Sequence, residues 1–209
     1  METGKIEILL DKQWELRDLS IVTREYVQLY SFFYVISRVS EGEYVDLDFS
    51  KYPWGGGYSV INFFQKSYGL THKDHKLQVS RIQYASPGFI ELTGVLGVAA
   101  DVATLVTTLC GSAFAINKTY DGIMSSYHKR ELGKIKIKEA ESKLTKDDIN
   151  FIHSSVTKLA NNFNLRPEQV MAVEKISNQN ELVQLKMLLA LYRRASPIVE
   201  QQEAGKTKL

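Results

Sequence analysis

The stretch from residue 92 to residue 116 constrains the fold of this chain most, because in 25 residues it carries a single charged side chain, Asp101. About 20 apolar residues in a helix are enough to cross the hydrocarbon core of a bilayer. The pattern predicts one long apolar helix that starts in this stretch and runs into the 140s. Gly111, Gly122 and Gly133 are the points where we expect it to kink, since glycine is a weak helix former.

The first interpretation of this helix is burial in the protein or against a second copy of the chain. One stripe of the helix is too apolar to leave in water, which predicts self-association into a homo-oligomer. The residues of this predicted self-association stripe are Val95, Val98, Val102, Val106 and Leu109, with Asp101 beside them.

A membrane-inserted form is the second interpretation of the same segment. A carboxylate near the middle of a bilayer costs about 3 kcal/mol on insertion scales, so Asp101 opposes a permanent span. The third interpretation joins the first two: the helix is held against protein until an event releases it. This would suit a membrane-disrupting effector, such as one acting in bacterial antiviral defence.

Positive charge is concentrated in the second half of the chain. Residues 1–116 hold ten Lys and Arg and thirteen Asp and Glu, whereas residues 117–209 hold sixteen and eleven. Basic residues are most frequent in segment 126–146. The ordinary interpretation is a solvated helix face, and the more specific one is a surface that binds an anionic membrane. The basic residues predicted to form this surface are Lys129, Arg130, Lys134, Lys136 and Lys138. A helix-turn-helix pattern at 158–176 is not basic enough to favour nucleic acid.

The first 91 residues predict a small domain with its own core, since sixteen of the 22 aromatic residues lie at or before Phe89. The β-branched run at 5–10, the alternation at 45–49 and a hairpin around "SPG" predict three or four short strands. Two helices are predicted, over 22–39 and from residue 58 to residue 68. The fold class is therefore α+β.

The second predicted part runs from residue 92 to residue 200 and is entirely helical. It consists of the apolar helix, the basic segment and further helices, one of which Pro197 is expected to end. Residues 201–209 are polar and are predicted to be a disordered tail.

No motif for catalysis is evident, and the first loop to examine for a ligand is "PWGGGY". Its aromatic side chains would line a recess, although the loop lacks the GxxxxGK[ST] pattern of phosphate-binding loops. The residues of this candidate ligand loop are Tyr52, Trp54, Gly55, Gly56, Gly57 and Tyr58. His72 and His75 lack an evident third ligand, and Cys110 lacks a neighbouring base, so neither a metal nor a cofactor is expected.

The N-terminal sequence contains no secretory signal pattern, and one cysteine excludes an internal disulfide. These features predict a cytoplasmic protein, with peripheral or conditional insertion at the inner face of a membrane as the alternative. The leading functional prediction is a non-enzymatic interaction or assembly protein whose partner is itself or another protein. A membrane-active effector is the alternative, and an enzyme that uses the "PWGGGY" loop ranks third.

Overall fold

A four-stranded antiparallel sheet packs with α-helices in the computed structural model, which describes residues 1–43, 57–135 and 143–209. The order across the sheet is β2-β3-β1-β4. The strands are β1 (Thr3–Leu10), β2 (Gln78–Gln83), β3 (Gly88–Val95) and β4 (Thr207–Lys208). Helices and an antiparallel sheet in one chain confirm the predicted α+β class.

Seven α-helices lie within the described residues. Local sequence signals explain several of their starts: Thr145 and Asp148 form a reciprocal capping box, Pro167 occupies a first turn, and Asn180 caps the last helix. The helices are α1 (Leu16–Ser40), α2 (Gly57–Leu70), α3 (Leu96–Gly111), α4 (Ala113–Lys129), α5 (Lys146–Asn162), α6 (Pro167–Ile176) and α7 (Glu181–Glu203).

One hydrophobic core connects the two parts of the chain that the sequence separates at residue 91. The α1 helix contributes Phe32, whose ring lies 5.8 Å from that of Phe63 and 5.9 Å from that of Phe64 on α2. The α7 helix is buried over most of its circumference and packs against α1, α3 and α5. A buried ion pair between Glu25 and Arg194, with N and O 2.9 Å apart, joins α1 to α7.

Tyr30 of α1 fixes the end of the sheet against the helices. Its hydroxyl accepts a 2.7 Å hydrogen bond from Val95 N at the end of β3 and donates a 2.8 Å bond to the carbonyl of His75. Gly94 allows this approach, because a Cβ there would lie 3.1 Å from the Tyr30 hydroxyl oxygen and 2.7 Å from a Leu77 methyl carbon.

The prediction of one continuous apolar helix over 92–116 is wrong. Residues 92–95 belong to β3, because the ladder with β1 extends this strand to Val95 and the ladder with β2 extends it to Thr93. The α3 helix then ends at Gly111, and α4 starts after a 93° bend and ends at Lys129. Among the described residues no single helix is long and apolar enough to cross a bilayer, whereas α3 and α4 together pass that test by length and composition.

The prediction of a disordered tail over 201–209 is also wrong. The α7 helix continues past Pro197 to Glu203, because burial of Ile198 and Val199 outweighs the hydrogen bond that proline cannot donate. Thr207 of β4 then pairs with Leu10 of β1, and the Thr207 hydroxyl donates a 2.8 Å hydrogen bond to the Leu9 carbonyl.

Candidate functional site

The outermost strand of the sheet, β2, leaves apolar side chains in water. Val79 pairs with Leu92 and Ile82 pairs with Ile90 across the ladder. Directly opposed residues of antiparallel strands point to the same face, so Val79 and Ile82 lie on the face where Leu92 and Ile90 meet the core. Nevertheless Val79 is 60% exposed, Ile82 61% and Tyr84, just past the strand, 70%. We call Val79, Ile82 and Tyr84 the edge patch.

A β-bulge explains why Val79 and Ile82 share a face although they are three residues apart. The register shifts between Val79 and Arg81, so two residues of β2 lie opposite one of β3. The two residues in the bulge point to the opposite face of the sheet. There Ser80 is hydrogen-bonded to the Thr93 hydroxyl at 2.7 Å, and the Arg81 guanidinium lies 5.4 Å from the centre of the Phe89 ring.

The backbone edge of β2 is open as well. Its only strand neighbour in the described sheet is β3, so backbone groups on its other side have no strand partner there. The opposite edge of the sheet is β4, which is two residues long. Because β2 has six residues and one charged side chain, Arg81, it is the edge better suited to accept a further strand.

The predicted self-association stripe lies inside the protein. Val102 and Val106 are completely inaccessible to solvent, and the other three members are nearly so: Val95, Val98 and Leu109. The reason for expecting self-association through α3, an apolar stripe left in water, therefore does not apply to the folded chain. Self-association itself stays a prediction.

Asp101 has an ionic partner within the chain. Its carboxylate accepts hydrogen bonds of 2.6 Å and 3.3 Å from the Arg166 guanidinium at the start of α6. The Asp101 side chain is 9% exposed and the Arg166 side chain 53%, so the carboxylate is nearly buried while the guanidinium remains partly hydrated. This pair offsets the cost of placing a charge in an apolar helix, and insertion of α3 into a membrane would break it. The membrane-inserted form stays a prediction.

The predicted basic surface is partly neutralised by its own chain. Arg130 lies 2.7 Å from Asp148, and Lys134 lies 2.6 Å from Glu131. In contrast, Lys129 is exposed at the end of α4 and has no ion pair within the described residues. The remaining two predicted members, Lys136 and Lys138, lie outside the described residues.

Most of the candidate ligand loop lies outside the described residues as well: Tyr52, Trp54, Gly55 and Gly56. Gly57 and Tyr58 are in the first turn of α2. The predicted strand at 45–49 also lies outside the described residues. Within the described residues there is no group of three or more His, Cys, Asp or Glu side chains that could hold a metal ion.

Burial changes the proton affinity of several side chains that could otherwise act in chemistry. It raises the pKa of the Cys110 thiol, which disfavours the nucleophilic thiolate. It raises the pKa of Tyr127 to about 12. The pKa of Lys186 on α7 is lowered to about 8 by the same cause, and its ammonium group donates a 3.2 Å hydrogen bond to the Ile135 carbonyl.

The sequence predicts the hairpin that carries the edge patch but not the exposure of its side chains. The apolar residues Leu77, Val79 and Ile82 predict the first strand of this hairpin, and apolar character usually indicates burial. Position at the edge of the sheet decides the exposure, and strand order depends on pairing between distant segments. A detectable signal is the three-residue spacing of Val79 and Ile82, which breaks the alternation and marks the bulge.

No protein-family model, curated protein or solved structure matches this chain.

Proposed function

We propose that this chain is a non-enzymatic assembly protein that self-associates by pairing the β2 strands of two copies. The observation that carries the proposal is the edge patch: Val79 and Ile82 are exposed on the core-facing side of an open sheet edge, and Tyr84 is exposed just past the strand. Addition of a strand to such an edge supplies backbone hydrogen bonds, and the side chains of the strand supply specificity.

A second copy of the chain is the occupant that the chemistry of β2 favours. In an antiparallel pairing about a two-fold axis between Ser80 and Arg81, Val79 of each copy lies opposite Ile82 of the other. Apolar side chains then meet on the core-facing side. A two-fold contact of this kind is self-complementary and closes at two copies. The bulge and the positive charge of Arg81 are features that limit uncontrolled edge pairing, which favours one dimer over a fibre.

The test is the mass of the protein in solution, measured by sedimentation and by light scattering behind size exclusion. We expect a dimer at micromolar concentration for the wild-type chain and a monomer for Ile82→Lys, because each ammonium group would be placed against the apolar Val79 side chain of the other copy. Met171→Lys is the matched control, since Met171 on α6 is 60% exposed and Ile82 is 61% exposed. This control should remain dimeric.

Two results would count against the proposal. One is a monomeric wild-type chain at about 100 μM, a concentration at which even a weak specific dimer should form. The other is a dimer that persists in Ile82→Lys with unchanged stability. Circular dichroism should show that both variants keep the wild-type helix content, because both positions are exposed.

A further inference from the structure

A cleft of about 620 Å³ lies between α4 and α5, in the half of the chain with the excess of positive charge. Pockets that bind small molecules are usually about 300–1,000 Å³ in volume. Residues from one face of each helix line the cleft, between positions 118 and 126 on α4 and between 151 and 162 on α5. The cleft is separate from the edge patch and shares no residue with it.

The charge that lines the cleft is entirely positive. Lys118 projects from the α4 wall and Lys158 from the α5 wall, and no carboxylate belongs to the lining. Neither lysine forms an ion pair with any residue in the described parts of the chain. This differs from Arg130 and Lys134 in the same half, whose charges are compensated by Asp148 and Glu131. Two uncompensated ammonium groups on facing walls are suited to bind an anion from outside the chain.

The lining also offers hydrogen-bonding groups that the protein does not use. Ser155 is 2% exposed, yet its hydroxyl forms no hydrogen bond with the described residues. The hydroxyl of Ser154 differs, because it donates a 3.0 Å bond to the Phe151 carbonyl. The Ser155 hydroxyl oxygen is not fully enclosed, so water or a ligand in the cleft can bind it. Ser155 therefore provides a polar contact for a molecule inside the cleft.

The two ends of the cleft differ in chemistry. Arg130, just past α4, pairs with Asp148 and lies 5.0 Å from the centre of the Phe151 ring, so the end of α4 lies beside the first turns of α5. The helices therefore run antiparallel, which places Lys118 toward Lys158 at one end. Phe151 provides an aromatic surface at the other end.

We propose that the α4–α5 cleft binds a small organic phosphate. The phosphate lies between Lys118 and Lys158, the hydroxyl of Ser155 donates to one of its oxygens, and the apolar or aromatic body lies beside Phe151. The concave shape favours a small molecule over a membrane, since a flat surface would contact the lysines at the rim but would not reach the buried Ser155.

The experiment is isothermal titration calorimetry of the full chain with AMP, phenyl phosphate and inorganic phosphate. We expect at least one organic phosphate to bind saturably with a Kd of about 1 mM or tighter, and more tightly than inorganic phosphate. The double variant Lys118→Met/Lys158→Met should weaken that binding about tenfold or more, since charge-assisted hydrogen bonds are the stronger ones. Ser155→Ala should weaken it by a smaller factor. Lys129→Met is the matched control, because Lys129 is an exposed lysine outside the cleft, and its affinity should equal that of the wild type.

Three results would overturn the proposal. The first is no saturable binding of either organic phosphate by the wild-type chain. The second is equal affinity in the double lysine variant and in Lys129→Met. The third is binding only to vesicles that contain phosphatidic acid, with no binding of the soluble phosphates, which would assign the lysines to a membrane surface. Equal affinities for inorganic phosphate and both organic phosphates would overturn the placement of the body beside Phe151.

Discussion

The α3 helix and the β2 strand differ in the solvent exposure of their apolar side chains, and the difference does not follow from how apolar each sequence is. The α3 sequence is the most apolar stretch in the chain, and its valines are buried so completely that they have no surface to offer. Four of the six residues of β2, QVSRIQ, are polar, and both of its apolar side chains are mostly exposed. Hydrophobicity along the sequence thus predicts which segment forms the core. It does not predict which segment leaves apolar side chains exposed.

The cause of this difference is the position of each element in the layers. The α3 helix lies between the sheet and the other helices, in contact with β1, β3, α1 and α7. The β2 strand lies at the edge of the sheet, where the helices leave its core-facing side uncovered. A single exposed apolar residue needs no explanation, but Val79 and Ile82 on one face of an open edge, with the exposed Tyr84 next to them in sequence, define a surface.

The same substitution in the two regions should give the largest difference. Val102→Glu places a carboxylate without a partner at a position with no solvent exposure, and we expect a loss of about 4 kcal/mol or more, enough to unfold much of the population. In the monomeric Ile82→Lys background, where no dimer contributes to stability, Val79→Glu should change the free energy of unfolding by less than about 0.5 kcal/mol, because Val79 is exposed in the single chain. Urea denaturation followed by circular dichroism measures both. Similar losses of stability in the two variants would contradict the difference in burial between Val102 of α3 and Val79 of β2.

An intermediate effect is expected from removal of the ionic partner of α3. Arg166→Met leaves the Asp101 carboxylate almost buried without its partner, and we expect a loss of about 1–3 kcal/mol, less than for a fully buried pair because the guanidinium is partly hydrated. Asp101→Asn in the same chain should restore part of the loss. Lys134→Met, which breaks the exposed pair with Glu131, is the control and should have little effect. Denaturation in urea gives the values, and a double variant less stable than Arg166→Met would contradict this account.

The smallest effect is expected from an exposed ion pair outside both regions. Its contribution to stability can be compared with that of the pair that the nearly buried Asp101 forms with Arg166. The Glu181 carboxylate, 2.6 Å from Nδ1 of His153, raises the pKa of that histidine. The stabilisation should be complete below the ordinary imidazole pKa and should disappear as pH rises through the raised value in the folded state. Thermal melts of the wild type and His153→Gln between about pH 5 and pH 8.5 measure it. A difference in Tm between the two proteins that grows with pH would contradict the prediction.

The sequence is sufficient to predict the elements whose cause is local. The start of α5 at Thr145 follows from the capping pattern with Asp148, and the strand at 5–10 follows from its β-branched residues. The sequence also marks the positions of the core valines, because apolar periodicity and burial have the same cause. These features require no knowledge of distant contacts.

The features that the sequence does not predict depend on pairing between distant segments. Residues 92–95 join a strand because β1 pairs with all four of them and β2 pairs with Leu92 and Thr93. The partner of Asp101 is 65 residues away, at Arg166. The α4–α5 cleft depends likewise on packing between two helices, although the basic segment 126–146 indicates the correct half of the chain.

The pairing of β4 with β1 has a consequence for the order in which the chain folds. The Thr207 hydroxyl and the Leu9 carbonyl, joined by a hydrogen bond, are 198 residues apart in sequence. Closing a flexible loop of that length costs about 5 kcal/mol of chain entropy, more than a two-residue strand recovers. The strand therefore docks only after α7 has packed and has brought Lys206 beside Asp11 and Asp18. Completion of the sheet is therefore expected to be a late step, and protection of the Leu9 amide from hydrogen exchange, which lies on the β4 side of β1, should lag behind that of α7.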